Sequence, residues 1–269
     1  MIWVRSSRWN TAHLVSRIHF SNVSPTDSTT THPLSPSSAH HSTPFLAAPK
    51  FNSLTTDGTL TVPCIDFADM RRRVGVTEGD ILTVIDSWPT DRRAQAYRTI
   101  AEIEEEALKN MQIMPGALEI CSQLDQAGIP RALVTRNVSA SVDFFHATCF
   151  NLPPFFPALS REWTPYKPDP AALHHIADRW GCDPQEMIMI GDSAKDDIVA
   201  GNRAGAISIL LDTHNEYPKG MDDERLRGQM RPSYIVRSLQ EVAELLQTEF
   251  ELEPPPGAES MAAGSDATR

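Results

Sequence analysis

The stretch IGDSAKDD (190–197) ends an apolar run in Gly-Asp-Ser and follows it with two more acids, Asp196 and Asp197. Oxygen donors gathered this way suit a hard cation such as magnesium, which takes carboxylate oxygens and keeps several waters. They also suit a plain helix start, whose backbone dipole favours negative charge. PYKPDP (165–170) puts Lys167 just before a helix, ALVTRN (132–137) ends a short apolar run in a hydroxyl, and DGTLT (57–61) is an acid followed by a Gly turn. Taken singly, these read as a surface lysine, a loop and a turn. Taken in order, Asp57, Thr135, Lys167 and Asp192 fall 78, 32 and 25 residues apart, each beside an expected strand end or helix start. Together, in this order, they stop being generic.

The elements that must position them alternate. RALVT (131–135), MIMIG (187–191), ISILLD (207–212) and SYIV (233–236) are short apolar runs, read as buried strands. VSASVDFFHATC reads as a helix with Asn137 as its cap. KPDPAALHHIADRWG is opened by Asp169-Pro170 and closed at Gly181. AKDDIVAGNRAG is a further helix. SLQEVAELLQTEF carries a capping box, Ser238 with Glu241, and a stripe of Leu239, Val242, Leu245 and Leu246. Alternation of apolar strands with helices predicts an α/β fold, a parallel Rossmann-like sheet covered by helices on both faces. Such sheets place ligand groups past the carboxyl ends of their strands. Residues 64–115 break the pattern and read as helical throughout, a small cap inserted after the first motif and able to exclude water and select substrates.

With DGTLTVP, ALVTRN, YKPDP and IGDSAKDDIVAGNRAGA in this order, the sequence closely resembles the haloacid dehalogenase-like hydrolase superfamily, mostly phosphatases, over roughly residues 54–250. It is most similar to a plant and algal branch in which DGTLTVPCIDF, QIMPGA and PYKPDP recur. The resemblance implies transfer of a phosphoryl group to an aspartate and hydrolysis of the aspartyl-phosphate, with Mg2+ as cofactor and a small phosphorylated metabolite as substrate. It implies that Thr135 bonds a phosphoryl oxygen, and that Gly58, Arg136 and Asn137 line the substrate. Lys167 would neutralise the nucleophile and the phosphoryl charge. Asp192 would bind the metal directly and Asp57 would contribute its backbone carbonyl, with its carboxyl as general acid and base. A second acid would hold the metal's waters; the following apolar pair favours Asp197, with Asp196 as the runner-up.

One position departs from the pattern. The nucleophile belongs two residues before Asp57, and Thr55 stands there. A Thr hydroxyl is a weak nucleophile without an activating base, and it offers no anionic oxygen to a cation. The strand that should lead into it reads FNSL, with Asn52 and Ser53 inside, where a central parallel strand should be apolar. Strand and nucleophile are spoiled together while everything after Asp57 is intact. A wrong exon junction before DGTLT would damage both at once and is the favoured reading. A catalytically inactive protein that still binds phosphate and magnesium, and unusual Thr chemistry, stay open beside it.

The remaining features bound the answer. Net charge is −11, but residues 1–50 carry +3, leaving −14 for the rest (−11 less +3). So acidic a body argues against nucleic acid as a partner, and no apolar run is long enough to span a bilayer. MIWVRSSRWNTAHLVSRIHF is Arg-rich and acid-free, and half of residues 21–44 are Ser or Thr. That composition predicts a disordered organellar transit region over 1–50, for chloroplast or mitochondrion, the alternative being a cytoplasmic protein. The expected organisation is a core of 51–63 and 116–250, a cap of 64–115, and a disordered tail of 251–269. Cys64, Cys121, Cys149 and Cys182 have neither metal nor redox spacing and read as small buried apolar residues. His174-His175 and the EIEEEA run (102–107) read as surface. Trp163 and Tyr166 either line the pocket or only pack.

Overall fold

The computed structural model describes residues 2–5, 8–9 and 58–254. Its main sheet has four strands in the order β1 (Ile2–Arg5), β5 (Met187–Gly191), β6 (Ile207–Leu211), β7 (Tyr234–Val236). β5, β6 and β7 pair in parallel. A second parallel pair joins β3 (Leu133–Val134) to β4 (Ala158–Leu159).

Alternation along the strands decides what each face buries. Ile188 and Ile190 of β5 turn to the same side as Ile207, Ile209 and Leu211 of β6. There they meet α4 (Ala117–Gln126) and α8 (Leu239–Glu249) through Ile120, Leu124, Leu239, Val242 and Leu246. Met187 and Met189 turn the other way, onto α6 (Ala171–Trp180) and α7 (Val199–Ala204), with Leu173, Ile176, Trp180, Ala200 and Ala204. All five residues of MIMIG are therefore buried, which is why the strand is apolar without a polar partner. Each such Ile or Met contributes about 1.5–3 kcal/mol by leaving water. Helix α6 opens after Pro170, with Asp169 accepting from the Ala171 N–H at 2.9 Å, and stops at left-handed Gly181.

Residues 64–110 fold as three helices, α1 (Phe67–Val74), α2 (Ile81–Asp86) and α3 (Thr90–Lys109). They share an apolar cluster of their own, including Met70, Val74, Leu82, Ile85, Ile100 and Ile103. Asp66 caps α1 and Asp80 caps α2. The chain enters and leaves this block side by side. The Val62 N–H donates to the Gln112 carbonyl at 2.9 Å, and the Met114 N–H to the Leu60 carbonyl at 2.8 Å.

Several local expectations are corrected. Val138, not Asn137, occupies the cap position of α5 (Ser139–Phe144), and no side chain caps it. That helix ends in a wide π turn, Phe145–Cys149. Glu241 accepts from the Arg237 N–H at 2.9 Å rather than from Ser238, so the capping box is half-formed. Part of the leader expected to be disordered is strand. β1 runs antiparallel to β5, pairing Ile2 with Ile190, and β2 (Arg8–Trp9) pairs with β8 (Phe250–Glu251). Glu251 thus ends a strand rather than beginning a tail. The physical reason is an open edge: apart from β1, no described strand pairs with β5 on the side away from β6, and an open edge takes up another strand. IWVR, with its β-branched and aromatic residues, has the composition to fill it. A parallel strand leading into DGTLT was expected in this sheet, but residues 51–57 lie outside the described residues.

Candidate functional site

The carboxyl ends of β3 and β5 bring together Thr135, Arg136, Lys167, Asp196 and Asp197, while the turn after Asp57 closes on Asp192. Gly58 opens that turn with φ of 97°, donating its N–H to the Thr61 carbonyl at 2.8 Å. Its Cα faces the Asp192 carboxylate so closely that a Cβ there would lie 2.4 Å from Oδ2. Only glycine tolerates both the dihedral and the approach. The Thr59 hydroxyl then donates to Asp192 Oδ1 at 3.0 Å. Asp57 and Thr55 themselves lie outside the described residues.

Lys167 is buried, and its ammonium donates to Asp197 Oδ1 at 2.6 Å; neither side chain touches solvent. The other oxygen of Asp197 accepts the Ser193 N–H at 3.0 Å. Gly191 is forced for the reason that applies to Gly58, since a Cβ there would lie 2.2 Å from Asp197 Oδ2. The helix expected to start at Ala194 begins as a π turn, Ala194–Ile198, before α7. Its extra residue turns Asp196 as well as Asp197 inward, and both are buried. π turns of this kind often accompany functional sites. Burial and the neighbouring Asp197 charge push the Asp196 carboxyl up, against the pull of Lys167 and Arg136. Three carboxylates here outnumber two cations. Oxygen donors with surplus negative charge are the chemistry that suits magnesium. Asp197 is already engaged by Lys167, however, and among the described residues no three acidic, His or Cys groups converge tightly enough to hold an ion. The donor set fits such a cation in kind.

Thr135 is buried. Its N–H donates to the Leu159 carbonyl at 2.8 Å, and its hydroxyl accepts the Asn137 N–H at 3.1 Å. The Asn137 carbonyl accepts from the Arg161 N–H at 2.8 Å. Arg136 is buried too. Its guanidinium donates to Asp80 Oδ2 at 2.6 Å, lies 3.9 Å from Asp196, and stacks over Tyr166 with 5.0 Å to the ring centre. Tyr166 therefore belongs to the site, whereas Trp163 packs with the α6 cluster.

Sequence reasoning missed Thr59, Ser193, Asp80 and the Arg161–Glu104 pair. Glu104 lies within the EIEEEA run read as solvated, but it turns inward from α3 to the Arg161 guanidinium. Asp80 carries the signal of a helix cap, and it is one. Nothing local says that its second oxygen reaches Arg136, 56 residues on. His174 is exposed as expected, and His175 is half-buried beside Trp163 at 5.7 Å. Of the four cysteines, all free, only Cys121 is fully buried, and burial pushes its thiol up to about 11; the other three are half-buried. Among the described residues, no helix is long and apolar enough to cross a membrane.

Known proteins share this plan. The family model of haloacid dehalogenase-like hydrolases matches residues 20–205. A haloacid dehalogenase-like hydrolase domain-containing protein of Arabidopsis thaliana is 44% identical over 210 residues, covering 74% of this chain and 84% of that one. An uncharacterised hydrolase of Saccharomyces cerevisiae is 36% identical over 197 residues, covering 71% of this chain and 88% of its own. The crystal structure of a predicted phosphoglycolate phosphatase from Haemophilus somnus has the same fold, with a TM-score of 0.54 at 20% identity over 71% of this chain and 95% of that one. On sequence and fold together, the chain belongs to the haloacid dehalogenase-like hydrolase family.

Proposed function

We propose that this hydrolase is a magnesium-dependent phosphatase of a small phosphomonoester, working through an aspartyl-phosphate, and that Thr55 stands where the natural nucleophile should be an aspartate. The observation that carries the reading is the buried Lys167–Asp197 pair, held 2.6 Å apart, with Asp197 also accepting from the N–H of Ser193, the residue after Asp192. A buried ion pair adds little net stability over an apolar replacement, so its presence points to a use beyond stability. A phosphoryl group is such a user. Lys167 neutralises its oxygens, and Thr135 donates to one of them while Asn137 orients the Thr135 hydroxyl. Asp57 protonates the leaving oxygen and then activates water. Asp192 and one of the acids at 196 and 197 would hold magnesium, which would supply charge neutralisation to the phosphoryl group.

The loss at position 55 is read as a misjoined exon. Supporting this, the edge of β5 away from β6 carries an antiparallel strand from residues 2–5. In parallel α/β sheets a motif of this kind ends a parallel strand. The rival reading, a non-catalytic phosphate binder, follows if Thr55 is genuine. Turnover of an aryl phosphate with magnesium separates them. The chain with Thr55 should show negligible hydrolysis, and Thr55→Asp should restore it. A folded, phosphate-binding but inert Thr55→Asp protein would favour the binder. Robust turnover by the Thr55 chain, abolished in Thr55→Ala, would overturn the aspartate reading. We further propose chloroplast or mitochondrion as the location, to be tested by imaging a fluorescent fusion of the full chain; a cytosolic signal would refute it.

A further inference from the structure

Arg136 is a buried cation whose accounts do not balance. Nη2 donates to Asp80 at 2.6 Å, Nη1 is 3.9 Å from Asp196, beyond hydrogen-bond range, and Nε is buried without a partner among the described residues. A guanidinium has five donors, and leaving buried donors unmade costs about 1–3 kcal/mol each. The residue lies between two layers. It follows Thr135 in the loop that would hold the phosphoryl group, and its partner Asp80 belongs to the helical cap. A phosphomonoester seated by Thr135 and Lys167 would direct its leaving group toward the cap, past Arg136.

Asp80 is itself held in place. Oδ1 accepts from the Thr83 N–H at 3.1 Å and from the Thr83 hydroxyl at 3.0 Å, as the cap of α2. Oδ2 is thereby presented to Arg136. A second contact pins the same loop, because Arg161 Nε donates to the Arg136 carbonyl at 2.7 Å while its Nη2 pairs with Glu104 of the cap.

We propose that Asp80 is a positioning residue: through the cap of α2 it holds the Arg136 guanidinium so that its remaining donors recognise a carboxylate on the substrate's leaving group. The inference rests on the phosphatase reading, and names the class of phosphomonoester as one with an acidic leaving group. Because Asp80 is carried by the cap, this recognition is complete only with the cap seated on the core.

The test uses the full chain and calorimetric binding of two probes with magnesium, phosphoglycolate and ethyl phosphate, which differ in the carboxylate. Binding needs no turnover, and each chain is measured with Thr55 and with Thr55→Asp, so that a weak cation site does not mask the preference. A charge-assisted hydrogen bond predicts roughly tenfold or greater preference for phosphoglycolate in the unsubstituted chain. Asp80→Asn keeps a good helix cap but removes the charge that aims Arg136, and the preference should fall to about threefold or less. Glu105→Gln, on the exposed side of α3, should leave the preference unchanged. A purely structural role for Asp80 would weaken both probes alike in Asp80→Asn, and that result would overturn the proposal. So would an unsubstituted chain that binds both probes equally, or an Asp80→Asn chain that keeps the full preference. If neither the Thr55 chain nor Thr55→Asp binds either probe, the phosphatase reading fails first, and this inference with it.

Discussion

Replacing Lys167 by Met keeps the volume of the side chain and deletes its charge. Among the described residues, Asp197 then keeps only the Ser193 N–H as a partner, in a place neither side chain shares with water. Two charges at such contact attract by several kcal/mol even at an effective dielectric near 20, most of which desolvation offsets. Removing one member forfeits the attraction and keeps the penalty, at about 3–5 kcal/mol. A domain of this size loses roughly 2–4 °C of Tm per kcal/mol, so Lys167→Met should melt about 6–20 °C lower. Urea denaturation followed by circular dichroism, in chelator so that no bound cation takes the place of the ammonium, gives the free energy directly. Adding Asp197→Asn removes the stranded charge and keeps an acceptor for Ser193. The double variant should regain half or more of the loss, and the cycle should report a coupling energy above about 1 kcal/mol. A single variant that loses less than about 1 kcal/mol, or a double variant no more stable than Lys167→Met, would refute the idea of a buried, mutually dependent pair.

Gly58→Ala would force a Cβ to within 2.4 Å of Asp192 Oδ2 at φ of 97°. It should weaken magnesium binding about tenfold or more, as Asp192→Asn should; calorimetry that shows unchanged affinity in both would remove Asp192 from the metal site. Burial pushes the Asp80 carboxyl up, but Arg136 and the Thr83 donors outweigh it and leave it below the usual range. The unfolded chain therefore binds a proton there at a pH where the folded chain does not, and stability rises with pH through that window. The stability difference between the unsubstituted chain and Asp80→Asn should be constant above about pH 5, and should shrink as pH falls below about 4, the ordinary carboxylate value. A gap that widens in acid would show the sign to be wrong.

MIMIG and ISILL were legible as strands because burial on both faces demands an uninterrupted apolar run, and that run is a local property. Helix α6 was legible to within a few residues because Pro170 and Gly181 punctuate it. The π turn at Ala194 was not, since five residues of AKDDI give no local sign of whether the chain winds by four or five. That single extra residue decides that Asp196 and Asp197 both face inward. EIEEEA shows the same limit from the other side: three of its acids are equivalent in sequence, and only the position of Arg161 distinguishes Glu104.

The family, the order of the motifs and the gap at position 55 follow from residue type and spacing along the chain. That Lys167 takes Asp197 as its partner, that Gly58 lets Asp192 approach, and that Asp80 of the α2 cap position grips Arg136 emerge only in three dimensions. These contacts join residues 30, 134 and 56 positions apart. Their energies come from burial and charge at close range, and the chain acquires both only when strand ends and cap have been brought together.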